Sequence, residues 1–170
     1  MKNSLVLFML LTIFSCTSKK EYKKTTPEWS KNSIMYEVNI RQYTPEGTFN
    51  SFSKHLARIK DLGVDIIWFM PIHPIGEKNR KGSLGSYYSV KDYKSVNPEF
   101  GTIEDFNRLV EKIHQMGMKV IIDWVANHTA FDNIWIENGK LDWYTLDSLG
   151  NLQPPLGTDW CPRCSANQRQ

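Results

Sequence analysis

The densest group of chemistry-bearing side chains in this sequence is Asp123-Trp124-Val125-Ala126-Asn127-His128. A carboxylate, an amide and an imidazole stand within one hexapeptide. The carboxylate of Asp123 is suited to holding a guanidinium. The amide oxygen of Asn127 is suited to a hard cation, and the imidazole of His128 to donating to a hydroxyl. Each also has a plain structural reading: Asp123 caps a turn, Asn127 takes a left-handed loop conformation, His128 is a surface imidazole. Taken singly, the plain readings carry more weight. The case for a site therefore depends on where the surrounding elements put the three.

Those elements alternate. Residues 34–40 form a short apolar run with partial alternation, which predicts a strand. Asn50 or Ser51 is placed to cap a helix whose apolar stripe is Phe52, Leu56, Ile59 and Leu62. Gly63 stands where a helix C′ glycine is expected. Val64 to Met70 is nearly continuously apolar, as in a parallel strand buried on both faces. A long connection, residues 71–101, is rich in Gly, Pro, Ser and Tyr, and a loop of that length inside a compact domain is usually functional. Thr102 and Asp105 predict a capping-box start to a second helix, with Ile103, Phe106, Leu109, Val110, Ile113 and Met116 on its apolar face. Gly117 ends it, and residues 118–123 predict a third strand. Such alternation implies an α/β fold with a parallel sheet of βαβ units. Spacing does not separate a barrel from an open doubly wound sheet. In both, ligands gather beyond the C-terminal ends of the strands, which is where the hexapeptide falls. No Gly-rich phosphate fingerprint follows the first strand, which argues against a nucleotide-binding version.

The chain has 170 residues, 41% hydrophobic and 23% charged, a globular composition. A complete (β/α)8 barrel needs roughly 250 residues. The net charge of +3 includes a cluster at Lys19, Lys20, Lys23 and Lys24, read as a solvated linker. No basic face with interleaved aromatics points to nucleic acid. Residues 1–15 combine a basic start with an apolar run too short to span a bilayer, as in a signal peptide. The run ends in Ser15-Cys16, which resembles a bacterial lipobox: cleavage before Cys16 would leave its thiol to carry the lipid that anchors the protein to a membrane. Residues 17–32 then read as a tether continuing from Cys16. Export would expose Cys161 and Cys164 to an oxidising compartment. Cys161-x-x-Cys164 alone, without further Cys or His partners, is weak evidence for zinc or redox chemistry.

The hexapeptide resembles the first signature region of the α-amylase superfamily, glycoside hydrolase family thirteen. Tyr36-Glu37-Val38 with Arg41-Gln42-Tyr43 is similar to the first barrel strand of these enzymes. Leu62-Gly63-Val64, Ile67-Trp68 and Met70-Pro71-Ile72 are similar to the second. Tyr88, Asp92-Tyr93, Asn97-Pro98, Phe100-Gly101-Thr102 and Asp105-Phe106 are similar to the segment before the third. The resemblance implies the N-terminal portion of a (β/α)8 TIM barrel over residues 33–128, with the start of a domain inserted after strand three over residues 129–160. It implies that Tyr88 stacks on the sugar ring next to the scissile bond and that His128 hydrogen-bonds the same sugar. Asp123 would orient an arginine on a later strand, and Asn127 would be a calcium ligand in members that bind the ion. Trp135, Trp143 and Tyr144 would offer sugar-stacking or core aromatics. The implied activity is retaining hydrolysis or transfer at α-glucosidic bonds of starch-like or maltodextrin substrates.

In that family the nucleophile Asp, the acid/base Glu and a third Asp come from strands four, five and seven. None is assigned in this chain: Glu37 and Asp65 lie on the first strands, and Asp123 matches another role. The expectation is an N-terminal fragment without catalysis of its own, its residues 161–170 an atypical tail read out of frame. An open three-stranded piece also predicts poor solubility, from its uncovered sheet edge and apolar faces. The protein would be a bacterial lipoprotein, periplasmic or on the outer-membrane surface. Two alternatives stand beside it, a glucan-binding surface lipoprotein that does not cleave and an amylase-like scaffold protein.

Overall fold

The structure, a computed structural model, describes residues 26–155 and 166–167. Residues 1–15, expected to be a signal peptide, Cys16, and Cys161 and Cys164 in the tail lie outside the described residues. The chain divides into two units, Met1–Asn32 and Ser33–Gln170. The described part of the first holds one 3-10 turn, Glu28–Ser30.

The second unit opens with β1 (Met35–Val38) and a one-turn helix α1 (Ile40–Tyr43). Helix α2 (Phe49–Phe52) runs through a 3-10 turn into α3 (Leu56–Asp61). Strand β2 (Ile66–Phe69), helix α4 (Ile103–Gln115) and strand β3 (Lys119–Ile122) follow. The three strands form one parallel sheet in the order β1-β2-β3. Met35, Ile66 and Lys119 stand in line at one end, and Val38, Phe69 and Ile122 at the other. Farther along, β4 (His128–Thr129) pairs antiparallel with β5 (Ala166–Asn167), and a short helix α5 (Ile134–Glu137) lies between them in sequence. The fold is α/β, its parallel sheet matching the N-terminal part of a TIM barrel.

Side chains alternate across a strand, so each face of the sheet has its own set. Tyr36, Val38, Ile67, Phe69, Val120 and Ile122 face the helices. They pack with Phe52, Ile59, Leu109 and Ile113 into a core whose helix residues are almost wholly buried. Its rings meet edge to face, Phe52 on Phe69 at 5.6 Å and Phe69 on Phe106 at 5.9 Å. Full burial of each such side chain contributes about 1.5–3 kcal/mol. The opposite face carries Glu37, Trp68, Lys119 and Ile121, a mixed polar and apolar set.

Three local expectations are corrected. The cap of the first helix is Thr48, not Asn50 or Ser51: the Thr48 hydroxyl accepts from the Ser51 amide at 3.2 Å, with Ser51 in the third helical position of a capping box. The helix therefore starts earlier and buries Phe49 completely. Leu62, expected in the apolar stripe, is 57% exposed because it follows the last helical residue, where Gly63 at φ +83° turns the chain away. Ile103 is likewise exposed in the first turn of α4. The Thr102–Asp105 capping box forms as expected.

Candidate active site at the strand ends

The sheet ladder continues one residue past β3. The Asp123 amide donates to the Phe69 carbonyl at 2.9 Å. This holds the Asp123 carboxylate at the C-terminal rim, on the same face as Trp68. Both its oxygens are taken: the Trp68 indole N–H donates to Oδ1 at 2.8 Å, and the Tyr88 hydroxyl donates to Oδ2 at 3.0 Å. Asp65, by contrast, sits at the start of β2, where it accepts from the Ile34 amide. It belongs to the opposite end of the sheet.

Tyr88 reaches the rim because the long connection folds back on itself. Ile75 bridges Val90, the Gly76 amide donates to Ser89 O at 2.9 Å, and the Lys91 amide donates to Pro74 O at 2.8 Å. The chain beyond His128 then docks on the returning arm, with the Ala130 amide and the Asn133 side chain both donating to Val90 O at 2.9 Å. Gly76 is required by this packing. A Cβ there would stand 2.2 Å from the Ala130 Cβ and 2.4 Å from Asp132 Oδ1. Asp132 ties the same layers together, accepting from the Glu77 amide at 2.9 Å and pairing with Lys91 at 3.4 Å.

The expected site residues meet here. Asn127 Nδ2 lies 3.1 Å from His128 Nδ1. An amide NH2 only donates, so Nδ1 is the acceptor and the neutral ring carries its proton on Nε2. Burial pushes the His128 pKa down, opposed by a bond from the ring to the Tyr88 backbone. His128 is therefore neutral at pH 7. The Tyr88 pKa is pushed up to about 12, first by burial and then by the hydrogen bond and charge of Asp123, with Glu37 adding to the same direction. Tyr88 thus remains a phenol and a donor, and the residue is 38% exposed. The cluster offers a phenol, a neutral imidazole and a carboxylate already satisfied by two donors. Such a set can hydrogen-bond a neutral polar ligand, and both oxygens of its carboxylate are already engaged. For a cation, Asn127 supplies one amide oxygen, where calcium takes six to eight oxygens. Among the described residues no three His, Cys, Asp or Glu side chains converge, so a calcium ion held at Asn127 would need its further oxygens from other groups.

Beside the cluster the aromatics divide by role. Tyr144 is fully buried, its hydroxyl 3.0 Å from that of Thr129. Trp135 stacks on Tyr93 with centroids 5.3 Å apart, and Trp143 meets Trp135 edge-on at 5.4 Å while remaining 45% exposed. Trp68, Tyr93, Gly76 and Asp132 act at this site, but sequence reading assigned them no role. Trp68 and Tyr93 stood within quoted motifs. Their partners lie dozens of residues away, at distances that spacing does not encode.

A parallel β/α unit with its polar side chains gathered beyond the carboxyl ends of the strands defines the class of α/β enzymes built on barrels and wound sheets. Residues 14–159 match the model of the α-amylase catalytic domain, and the chain belongs to that family of glycoside hydrolases. It is 44% identical to an α-amylase from Lactobacillus plantarum, with a TM-score of 0.75 over 81% of this chain and 32% of that one. It is 35% identical to a maltogenic α-amylase from Thermotoga neapolitana, with a TM-score of 0.72 over 82% of this chain and 32% of that one. It is also 32% identical to the probable oligo-1,6-glucosidase 3 of Bacillus subtilis, over 75% of this chain and 24% of that protein. The chain spans about a fifth to a quarter of the length of the curated relatives it matches.

Proposed function

We propose that this chain contributes the sugar-holding rim of an enzyme acting on α-glucosidic bonds, by retaining hydrolysis or transfer on starch-like or maltodextrin substrates. In this reading the Tyr88 ring stacks on the sugar beside the scissile bond and His128 bonds the same sugar. Asp123 fixes the geometry. A retaining mechanism needs a carboxylate nucleophile and a carboxylic acid about 5–5.5 Å apart. Those groups, with the third carboxylate, would come from residues beyond this chain, which alone would bind without turnover. The observation that carries the reading is the single cluster of Tyr88, Asp123, Asn127 and His128 at the strand ends. The named relatives include an α-amylase and an oligo-1,6-glucosidase, which leaves α-1,4 and α-1,6 links to be separated. The lipid anchor at Cys16, export through residues 1–15 and the domain boundaries given above belong to the same proposal.

Calorimetric titration of the 170-residue chain with maltooligosaccharides and isomaltooligosaccharides tests it. Binding to one series, weakened in Tyr88→Ala and in His128→Ala, is the expected result. Absence of binding to both, or binding indifferent to both substitutions, sinks the sugar-holding role. Release of reducing sugar by this chain would overturn the assignment of the catalytic groups elsewhere. Fatty-acid labelling in a bacterial host, abolished by Cys16→Ser, is the expected outcome for the anchor.

A further inference from the structure

Between Asp123, tied to Phe69, and β4, whose His128 and Thr129 pair with Asn167 and Ala166, the backbone that carries Asn127 has little support of its own. Among the described residues, residues 124–127 make no backbone–backbone hydrogen bond. Two carbonyls of this stretch converge on one side chain instead. The Tyr93 hydroxyl donates to Val125 O in a short bond and stands 3.2 Å from His128 O. A phenol has one hydrogen, so the pair is a three-centred bond with Val125 as the principal acceptor. The donor is itself held. Its ring stacks on Trp135 at 5.3 Å and 27° and takes the edge of His73 at 5.5 Å, and His73 Nδ1 lies 2.9 Å from the Ser95 carbonyl. Tyr93 therefore joins three segments: the long connection that brings Tyr88, the strand-end segment that brings His128, and α5 beyond it.

We propose that Tyr93 is the positioning residue for His128, its hydroxyl setting the course of backbone 125–128 so that the imidazole stands beside Tyr88. This rests on the reading of His128 as a sugar ligand. Tyr93→Phe is the informative variant, because it keeps the ring on Trp135 and removes only the hydroxyl.

Two measurements on the 170-residue chain decide it. Amide hydrogen exchange across β4 and at Ala130, whose amide is bonded to Val90, rises about five- to tenfold in Tyr93→Phe, the loss of roughly one hydrogen bond's worth of protection. The β2 amides of Ile67 and Phe69 keep their rates, which shows the fold intact. Unchanged exchange at residues 128–130 overturns the proposal whatever the sugar result. Maltooligosaccharide affinity falls several-fold in Tyr93→Phe and falls no further when the substitution is added to His128→Ala, since a residue acting through another is silent once that other is gone. Additive losses overturn it too, because they mean Tyr93 acts by another route. If the unsubstituted chain binds no maltooligosaccharide, the sugar reading fails, and the exchange result alone then decides whether Tyr93 sets this backbone.

Discussion

Trp68 and Phe69 are neighbours in β2 and face opposite sides of one sheet. Phe69 is fully buried against Phe52 and Phe106. Trp68 is half-buried, and its indole N–H is committed to a carboxylate. The helix-facing side is closed chiefly by apolar contact and depends on shape and volume. The rim side is held by directed bonds between segments far apart in sequence, Trp68 to Asp123, Tyr88 to Asp123 and Tyr93 to Val125. One strand thus serves two kinds of order. Non-directional burial makes the sheet stable, and hydrogen bonds on its other face decide where the site residues stand. Substitutions on the two sides should separate stability from binding.

The largest effect is expected on the helix side. Phe69→Ala removes a ring from a close-packed cluster and should cost about 3–5 kcal/mol. Denaturant unfolding followed by circular dichroism measures it. Under conditions where the variant is still folded, its maltooligosaccharide affinity should match the parent's. A stability loss below about 1 kcal/mol would mean that this face is not the closed core described above.

Next comes Gly76→Ala, on the rim side. Its new Cβ would overlap the Ala130 Cβ, which cannot move without its backbone, and the Asp132 carboxylate, which the Glu77 amide and Lys91 hold in place. Overpacking of this kind costs roughly 1–3 kcal/mol. The damage should be local. Exchange at residues 89–91 and 130–133 should rise while β2 stays protected, and affinity should fall with it because both Tyr88 and His128 hang on that layer. Uniform loss of protection through the sheet would contradict the independence of the two sides.

Trp68→Phe sharpens the contrast within one strand. The ring volume largely remains and one donor to Asp123 is lost. Water reaches this half-exposed carboxylate, so the stability cost is about 1 kcal/mol or less. Sugar affinity should nevertheless drop, because the Asp123 carboxylate no longer holds the Tyr88 hydroxyl in one place. The double variant with Tyr88→Phe should lose no more than the single ones. A Trp68→Phe chain that binds as the parent does would leave Trp68 a packing residue.

The same division explains how much of the molecule its residues announced in advance. The sheet, the glycines after each helix and the Thr102–Asp105 box follow from periodicity and capping, which are local rules. Gly63 and Gly117 do take positive φ, +83° and +76°. The cap at Thr48 escaped because Asn50 and Ser51 are equally good capping types, and burial of Phe49 is what selects the earlier start. At the site, Asp123, Asn127, His128 and Tyr88 were readable as a group through family likeness. The contacts that organise them were not. Trp68 to Asp123 and Gly76 to Ala130 join residues more than fifty positions apart, and nothing in a side chain's type says which distant partner it will meet.

The smallest expected effect concerns acid, and it belongs to the helix side. The Asp105 carboxyl is held down to about 2 from an ordinary 3.8, first by the Thr102 amide and then by the Asn50 side chain, with Arg108 adding its charge. These bonds join the start of α4 to α2, since Asn50 Nδ2 donates to Asp105 Oδ1 at 2.8 Å. A folded pKa below the unfolded one means that the unfolded chain takes up the proton first. The contribution is therefore complete above about pH 4 and fades as the pH falls toward 2. Asp105→Asn keeps one acceptor and removes the titration. Its urea midpoint should be somewhat lower than the parent's at pH 6 and should approach it as the pH drops from 4 to 2. A constant gap across that range would mean that Asp105 stabilises α4 without its charge. Sugar affinity at pH 6 should be the same in both chains, because Asp105 lies on the side of the sheet that the site does not use.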